Sequence, residues 1–423
     1  MNKKELIKKI IGPVGIEVVR KIKMMRGIFR AYKAGTIGHC EIKDPHIKLV
    51  SVLSIKDRNV FFGYYDLQQL NETETRMLVH ICDRNANTHK DAVTIAYYDL
   101  TTHQFESIAE SRAWSWQQGS RLRWNPLNQS EILFNNLEDG KYVCQIWNIK
   151  KKTKIQTIPI PLYDIDRGMH YGIGVNFSRL QRLRPGYGYN SLPDTTIGQN
   201  IPKDDGVFLY DFRKNEIHLI LSYEKLCEGM EDAQKYQHYI NHVCISPDGN
   251  KFMFFHIYTK GVGMAWQVRL CVSDMAGNKV HVLEEKHTIS HYTWKNDSTL
   301  LTTYINRQGK GSCYAEYNTE TGKRTLIGGD ELMLDGHPTF FNDNQSFISD
   351  TYPKKDCLQT VFFYDMRNNE YKKLVDVYHT PRLYEEKRCD LHPRLTPDNR
   401  YFSIDSVYSD SLRKVLLFEF VNQ

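Results

Sequence analysis

No stretch of this chain approaches the roughly 18 consecutive apolar residues that a spanning helix needs, so no membrane span is expected. Cysteine pairs are also missing. The nine cysteines (40, 82, 144, 227, 244, 271, 313, 357 and 389) form no C-x-x-C, and their number is odd. With no secretory signal peptide read at the start, reduced thiols and a cytoplasmic protein are the expectation. G-x-S-x-G, H-E-x-x-H, the P-loop and G-x-G-x-x-G are all absent, which removes the commonest motif-based hydrolase and nucleotide-binding readings. Alternation of strands with helices is lacking too, which disfavours a doubly wound parallel sheet. Nor is the body basic. The chain carries +6 overall, but ten Lys/Arg against Glu5 and Glu17 sit in residues 1–35, leaving the remainder slightly acidic. A nucleic-acid footprint over the main domain is therefore not indicated.

What is present begins with that basic leader. Ile7, Ile11, Val14, Val18, Ile22, Met25 and Phe29 recur at three- and four-residue steps, the spacing of one helical stripe. Gly12-Pro13 is expected to interrupt the helix, with Pro13 starting a second one. Two readings stay open for the stripe: contact with an anionic membrane surface through residues 1–33, on the inner face of the cytoplasmic membrane, or packing against the body. Residues 1–43 are taken as this amphipathic helical leader and its linker.

Beyond it, aromatic content of 12% and short apolar runs between polar turns predict a strand-rich, ordered domain over residues 44–423. Examples are Val93-Thr-Ile-Ala-Tyr-Tyr, Val268-Arg-Leu-Cys-Val and Val361-Phe-Phe-Tyr. One turn recurs roughly every 50 residues, at Asn71, Pro126, Pro247, Asn296, Asn342 and Pro397, with a weaker candidate near Ser178. Seven units of that length predict an all-β, seven-bladed β-propeller with an N-terminal amphipathic helical segment. The strand after Pro45 is expected to complete the last blade and close the ring.

Aligning the units on their turns exposes two ladders. Five residues before each of these positions stand Asp66, Arg121, His242, His291, His337 and His392. At the end of the following strand stand His80, Asn135, His256, Tyr304, Asp350 and Asp405. Since the first strand of a blade lines the axis, the first ladder should converge on one mouth of the channel, ringed by Asp390 and Arg394 among others. Imidazoles with carboxylates suit a divalent first-row metal, and an unmetallated histidine suits general-base work. The competing reading is a histidine per blade that only bonds within its own sheet. Trp114-Ser-Trp116-Gln-Gln118 offers aromatic faces and amides for a sugar ring, or ordinary blade packing. Arg179, Arg182, Arg184 and Tyr187 lie on a long loop, where guanidinium groups suit an acid-bearing ligand. His238 is a further candidate contact beside His242.

The units around His242 and His256, with Ser290-His291-Tyr, Gly336-His337-Pro and Asp390-Leu-His392-Pro-Arg394, resemble blades of oligogalacturonate lyases. The strings Gly63-Tyr-Tyr-Asp66, Trp116-Gln-Gln-Gly, Arg182-Leu-Arg-Pro-Gly-Tyr-Gly-Tyr189 and Asp350-Thr-Tyr-Pro resemble propeller proteins of bacterial surface-polysaccharide biosynthesis clusters. The lyase resemblance implies a histidine-bound divalent metal, manganese first and iron, nickel or zinc as alternatives. It also implies β-elimination on an acidic oligo- or polysaccharide. His291 and His392 then fall on metal-ligand positions, His337 becomes a further ligand, and Asp390 replaces a histidine of the lyase pattern. His242 falls on the base position, with Arg121, Arg182 or Arg184 holding the sugar acid. Asp66, Gln118, Arg179, Arg184, Tyr187, His238, His256, Asp350 and Arg394 are the expected substrate contacts. The alternative is a non-catalytic glycan-binding or scaffolding propeller.

Overall fold

A computed structural model describes residues 3–306, 311–329 and 332–421. Seven antiparallel sheets follow one another along the chain. Blades one to five are four-stranded meanders built in sequence order. Blade seven takes Arg394–Leu395, Tyr401–Ser406 and Lys414–Phe420 from the C-terminal end. Its outermost strand is Ile47–Leu53, paired Ile47 to Phe420 and Leu53 to Val415, so both ends of the chain close the ring. The closing seam is dry: Leu53, Val60, Leu70, Val415 and Leu417 share one buried cluster. Burying such side chains stabilises by roughly 1.5–3 kcal/mol each, ample for a non-covalent clasp.

Three local expectations differ from the structure. Ser178 is not a turn; it lies in helix α2 (Phe177–Leu183), capped by the Asn176 side chain. The blade-three turn falls at Asp166–His170, and the long insertion joins Tyr171–Val175 to Gly206–Asp211 inside that blade. No proline marks that turn; Asp166 shapes it, accepting from the N–H groups of Gly168 and Tyr171. Secondly, Cys40–Ile42, read as linker, adds a fifth strand to blade six against Glu370–Tyr378. Thirdly, helix α1 (Lys3–Ala34) runs unbroken through Gly12-Pro13. A proline removes one ladder hydrogen bond, and the adjoining turns carry the helix past it.

Helix α1 docks through a different face from the sequence stripe. Ala31 is fully buried, and at Gly27 a Cβ would stand 2.8 Å from the Pro381 ring. Arg20 pairs with Glu385, and Thr36 donates to the Asp356 carbonyl at 2.7 Å. The helix thus lies on the connections 351–357 and 379–393 of blades six and seven, beside the rim that carries the histidines. Side chains of Ile7, Ile11 and Val14 lie outside the described residues.

Candidate active site

The inner strands aim their ladder residues by breaking their own registers. Pairing slips between Asn241 and Cys244 in blade four and between Ile289 and Tyr292 in blade five. Arg121, His242 and His392 adopt left-handed φ values of 56°, 56° and 48°. Non-glycine residues there cost about 1–3 kcal/mol, a strain that concentrates at functional positions. Each bulge turns a side chain off its sheet and toward the axis.

The imidazoles do meet. Ring centroids lie 4.0 Å apart for His291 and His337, 4.4 Å for His337 and His392, and 6.3 Å for His242 and His291. The channel between them is filled. Tyr64 and Tyr65, from Gly63-Tyr-Tyr-Asp66, are both buried at the centre, with Tyr64 packed 4.8 Å from His392 and Tyr65 5.1 Å from His337. No role was assigned to these tyrosines from sequence, although the string itself stood out.

Proton placement follows from the partners. His337 Nδ1 lies 2.7 Å from Asp350 Oδ1, and His392 Nδ1 lies 2.8 Å from the Gly63 carbonyl. Neither oxygen can donate, so both rings carry hydrogen on Nδ1; burial keeps His392 neutral, with a bare lone pair on Nε2, whereas the Asp350 carboxylate raises the His337 pKa against the cost of burial, and its Nε2 is a lone pair in the neutral form that a metal selects. Both Nε2 atoms are buried and without a hydrogen-bond partner. An orphan lone pair in the interior costs about 1–3 kcal/mol, and two of them beside a carboxylate match the donor set of a divalent metal. One ligand atom from each of His337, Asp390 and His392 lies within 4.8 Å of the others. Burial works against the Asp390 charge, but Arg388, bonded to both carboxylate oxygens at 2.6 and 2.7 Å, holds its pKa far below the usual range. His291 is not in this tight group. Its Nδ1 faces Asp335 at 2.9 Å and its Nε2 faces the Tyr352 hydroxyl at 3.3 Å.

Gly63 is required by geometry. Its φ is 125°, and a Cβ would meet the Gln118 backbone at 2.9 Å. Only glycine lets the carbonyl that orients His392 approach so closely.

Among the remaining candidates, His242 borders a cavity of ≈ 30 Å³ with Arg184, Tyr187, His291 and Tyr352. Its Nδ1 is 3.1 Å from the Tyr64 hydroxyl, and burial beside His291 and Arg184 pushes its pKa well down, so the ring is neutral. That cavity adjoins a cleft of ≈ 480 Å³, which Arg184, Tyr187 and Trp266 also line. Arg184 lies against the Tyr187 and Trp266 rings, at 5.3 and 5.5 Å.

The other basic groups serve the fold. Arg121 forks onto both oxygens of Asp66 at 3.0 Å and donates to the Tyr163 carbonyl, so it is not placed to clamp a substrate acid. Asp66 is further occupied by the Tyr292 hydroxyl. Arg179, fully buried, donates to the carbonyls of His238, Gln199 and Asn200 and pins the insertion. Arg182 is bound to Asp194 and Gln237. Arg394 is paired with Asp405. Gln118 donates to the Tyr163 hydroxyl, while Trp114 and Trp116 are core residues with no face open to a sugar.

His238 and His256 stand apart from the mouth. Successive strand residues face opposite ways, so His256 points away from the side on which Phe255 meets His242. The two rings bond each other at 2.9 Å and, with Cys227, form a second buried group. Other members of the second ladder link neighbouring blades. His80 contacts Ser120, Asn135 bonds both the N–H and the carbonyl of Leu162, and Asp405 accepts from Phe62 and Gly63. Asp350 reaches from His337 to the His392 N–H.

No protein-family model matches the chain, and no curated protein sequence matches it. Solved structures do. An oligogalacturonate lyase in complex with manganese aligns with a TM-score of 0.65 at 13% identity, over 92% of this chain and 99% of its own. The chain is similar in fold to oligogalacturonate lyase. A second such lyase, from Vibrio parahaemolyticus, aligns with a TM-score of 0.63 at 11% identity, covering 90% and 98%. A GH74 enzyme from Niastella koreensis shares the fold more loosely, with a TM-score of 0.50 at 9% identity over 85% of this chain and 53% of its own. At these identities the likeness establishes architecture alone.

Proposed function

We propose that the protein is a divalent-metal-dependent, lyase-like propeller enzyme acting on an acidic, uronate-type glycan in bacterial surface-polysaccharide metabolism. The observation that carries this reading is the pair of buried, unpartnered Nε2 atoms of His337 and His392 beside Asp390. Manganese is the first candidate, because the lyase of similar fold was solved with it. When bound, the metal would neutralise the sugar carboxylate and acidify the neighbouring C–H.

The chain's own groups supply the rest. Asp350 and the Gly63 carbonyl fix the tautomers of His337 and His392. Of the three arginines considered for holding a sugar acid, Arg184 is the one that lines the cleft. His242 is neutral and borders the inner cavity, so it can accept the proton at C5. That electron pair forms the C4=C5 double bond, the C4–O bond breaks, and the departing oxygen takes a proton from water.

One observation favours the alternative of glycan binding without turnover: the cavity beside His242 and His291 is only ≈ 30 Å³, about the room of one water. A panel of uronate oligosaccharides with manganese, followed by absorbance of the unsaturated product, separates the two. Turnover that chelator abolishes supports the lyase. Binding of the same sugars with no product, in metal-loaded protein, supports the alternative.

A further inference from the structure

The docked face of helix α1 leaves the sequence stripe uncovered. Val18, Ile22, Met25, Phe29 and Tyr32 are between 45% and 74% exposed, the largest run of exposed apolar side chains among the described residues. Each residue turns a helix by about 100°, so these five stand on one side while Gly27 and Ala31 stand opposite, against the propeller. Between the two faces, on one flank, come Lys23, Arg26 and Arg30. The segment from Gly15 to Ala34 carries six Lys/Arg and one acid, Glu17, which lies near Arg20.

The basic flank opens into a groove of ≈ 460 Å³ between the helix and blades six and seven. Lys23, Arg26, Arg30, Lys354, Lys355 and Arg388 line it, with Glu385 the acid among them. Arg388 is bound to Asp390 and Glu385 to Arg20; no ion pair is formed by Lys23, Arg26, Arg30, Lys354 or Lys355 among the described residues. An apolar ridge flanked by cations, beside a cationic groove, matches the layered chemistry of an anionic bilayer: acyl chains beneath, phosphate groups at the surface.

We propose that helix α1 docks the propeller on an anionic lipid surface, with the 18–22–25–29–32 ridge in the acyl boundary and lipid phosphates in the groove beside Lys23, Arg26 and Arg30. The inference goes beyond the lyase reading and stands without it. It also orients the molecule. Arg20, Glu385 and Arg388 line the ≈ 480 Å³ cleft as well, so a docked helix sets the mouth of the candidate site at the lipid surface, favouring glycans held there over free ones. A second copy of the chain seated ridge to ridge is the competing occupant. Charge argues against it, since a two-fold contact would bring two sets of the same cations together.

The test is co-sedimentation of the full chain with phosphatidylcholine vesicles, with and without roughly a third phosphatidylglycerol, alongside sedimentation velocity without lipid. Expected are binding to the anionic vesicles about tenfold or more tighter than to neutral ones, weakening with salt, and a lipid-free monomer. An I22Q/M25Q/F29Q variant should lose vesicle binding; these side chains are exposed, so its thermal unfolding should match the wild type. A K23Q/R26Q/R30Q variant should lose the preference for anionic vesicles, by about tenfold or more. Phe29→Trp should keep it. No binding to anionic vesicles at low salt would overturn the proposal, as would binding that survives the ridge variant. A wild-type dimer that the ridge variant splits, with no vesicle binding, would give the surface to a second copy. None of these readings uses turnover, so a failed lyase assay leaves them intact.

Discussion

The two ladders of the propeller are built from similar residues and end in different circumstances. At the start of the inner strands, His337 and His392 keep one ring nitrogen bonded and leave the other bare. At the end of the second strands, Asn135 and Asp405 have their polar atoms spent on the next blade and, for Asp405, on Arg394 of its own. A satisfied buried group stabilises the ring of blades, and an unsatisfied one marks where something else belongs. The contrast divides the site from its frame more sharply than residue type does, since histidine occurs in both ladders: His80 has both ring nitrogens bonded, and His256, the exception in the second ladder, keeps an unpartnered Nδ1 within its group with Cys227 and His238.

The largest expected effect separates the ladders outright. His337→Ala with His392→Ala should take bound divalent metal from about one per chain to none, as read by elemental analysis, while chemical unfolding shows the fold retained. Metal retained in the double variant would assign it elsewhere.

Acid should act on the frame. Burial holds His80 and His379 neutral, with pKa values pushed down to about 4 from an ordinary 6.5. Both are free to protonate only when unfolded, so their contribution is full above about pH 6.5 and is lost as pH falls toward 4. The loss is on the order of 3 kcal/mol each. A melting temperature that stays level over that interval would contradict the assignment.

Within the frame, Asn135→Ala strips partners from both the N–H and the carbonyl of Leu162. We expect about 2–4 kcal/mol of destabilisation in urea with metal content unchanged. Asp350 is where the ladders meet, because it orients His337 and also accepts the His392 N–H. Asp350→Asn should weaken metal affinity by roughly 10–100-fold with a smaller effect on stability. The smallest change belongs to the cleft. Arg184→Ala should weaken binding of an acidic oligosaccharide by about tenfold in calorimetry, while Arg182→Ala leaves it within twofold and destabilises the insertion instead.

Much of the frame is legible from local chemistry. Turns at Asn71, Pro126, Pro247, Asn296, Asn342 and Pro397 mark six blades, and the strand after Pro45 closes the ring as its pattern implies. Blade three hides its turn because it lacks the Pro or Asn that marks the others; the Asp166 carboxylate shapes it, accepting from the Gly168 and Tyr171 N–H groups. The site is less legible. A shared register places four histidines at one rim, but which ring faces an ion depends on what the opposite nitrogen meets, a tertiary fact. His242 and His256 end a common hairpin yet face opposite sides, because a bulge at Asn241–Cys244 breaks the period between them. Arginines fare worst. Arg179, Arg182 and Arg184 lie within two turns of one short helix and its cap, and only burial and partners set Arg184 in the cleft.

The central claim is that imidazoles from neighbouring blades share one metal with Asp390. Elemental analysis of the protein purified without a histidine tag and then offered manganese tests it most directly. About one equivalent bound in the wild type and none in the His337→Ala, His392→Ala variant is the predicted result. A wild-type protein that binds no divalent metal, or whose uptake is indifferent to those two residues, would contradict it.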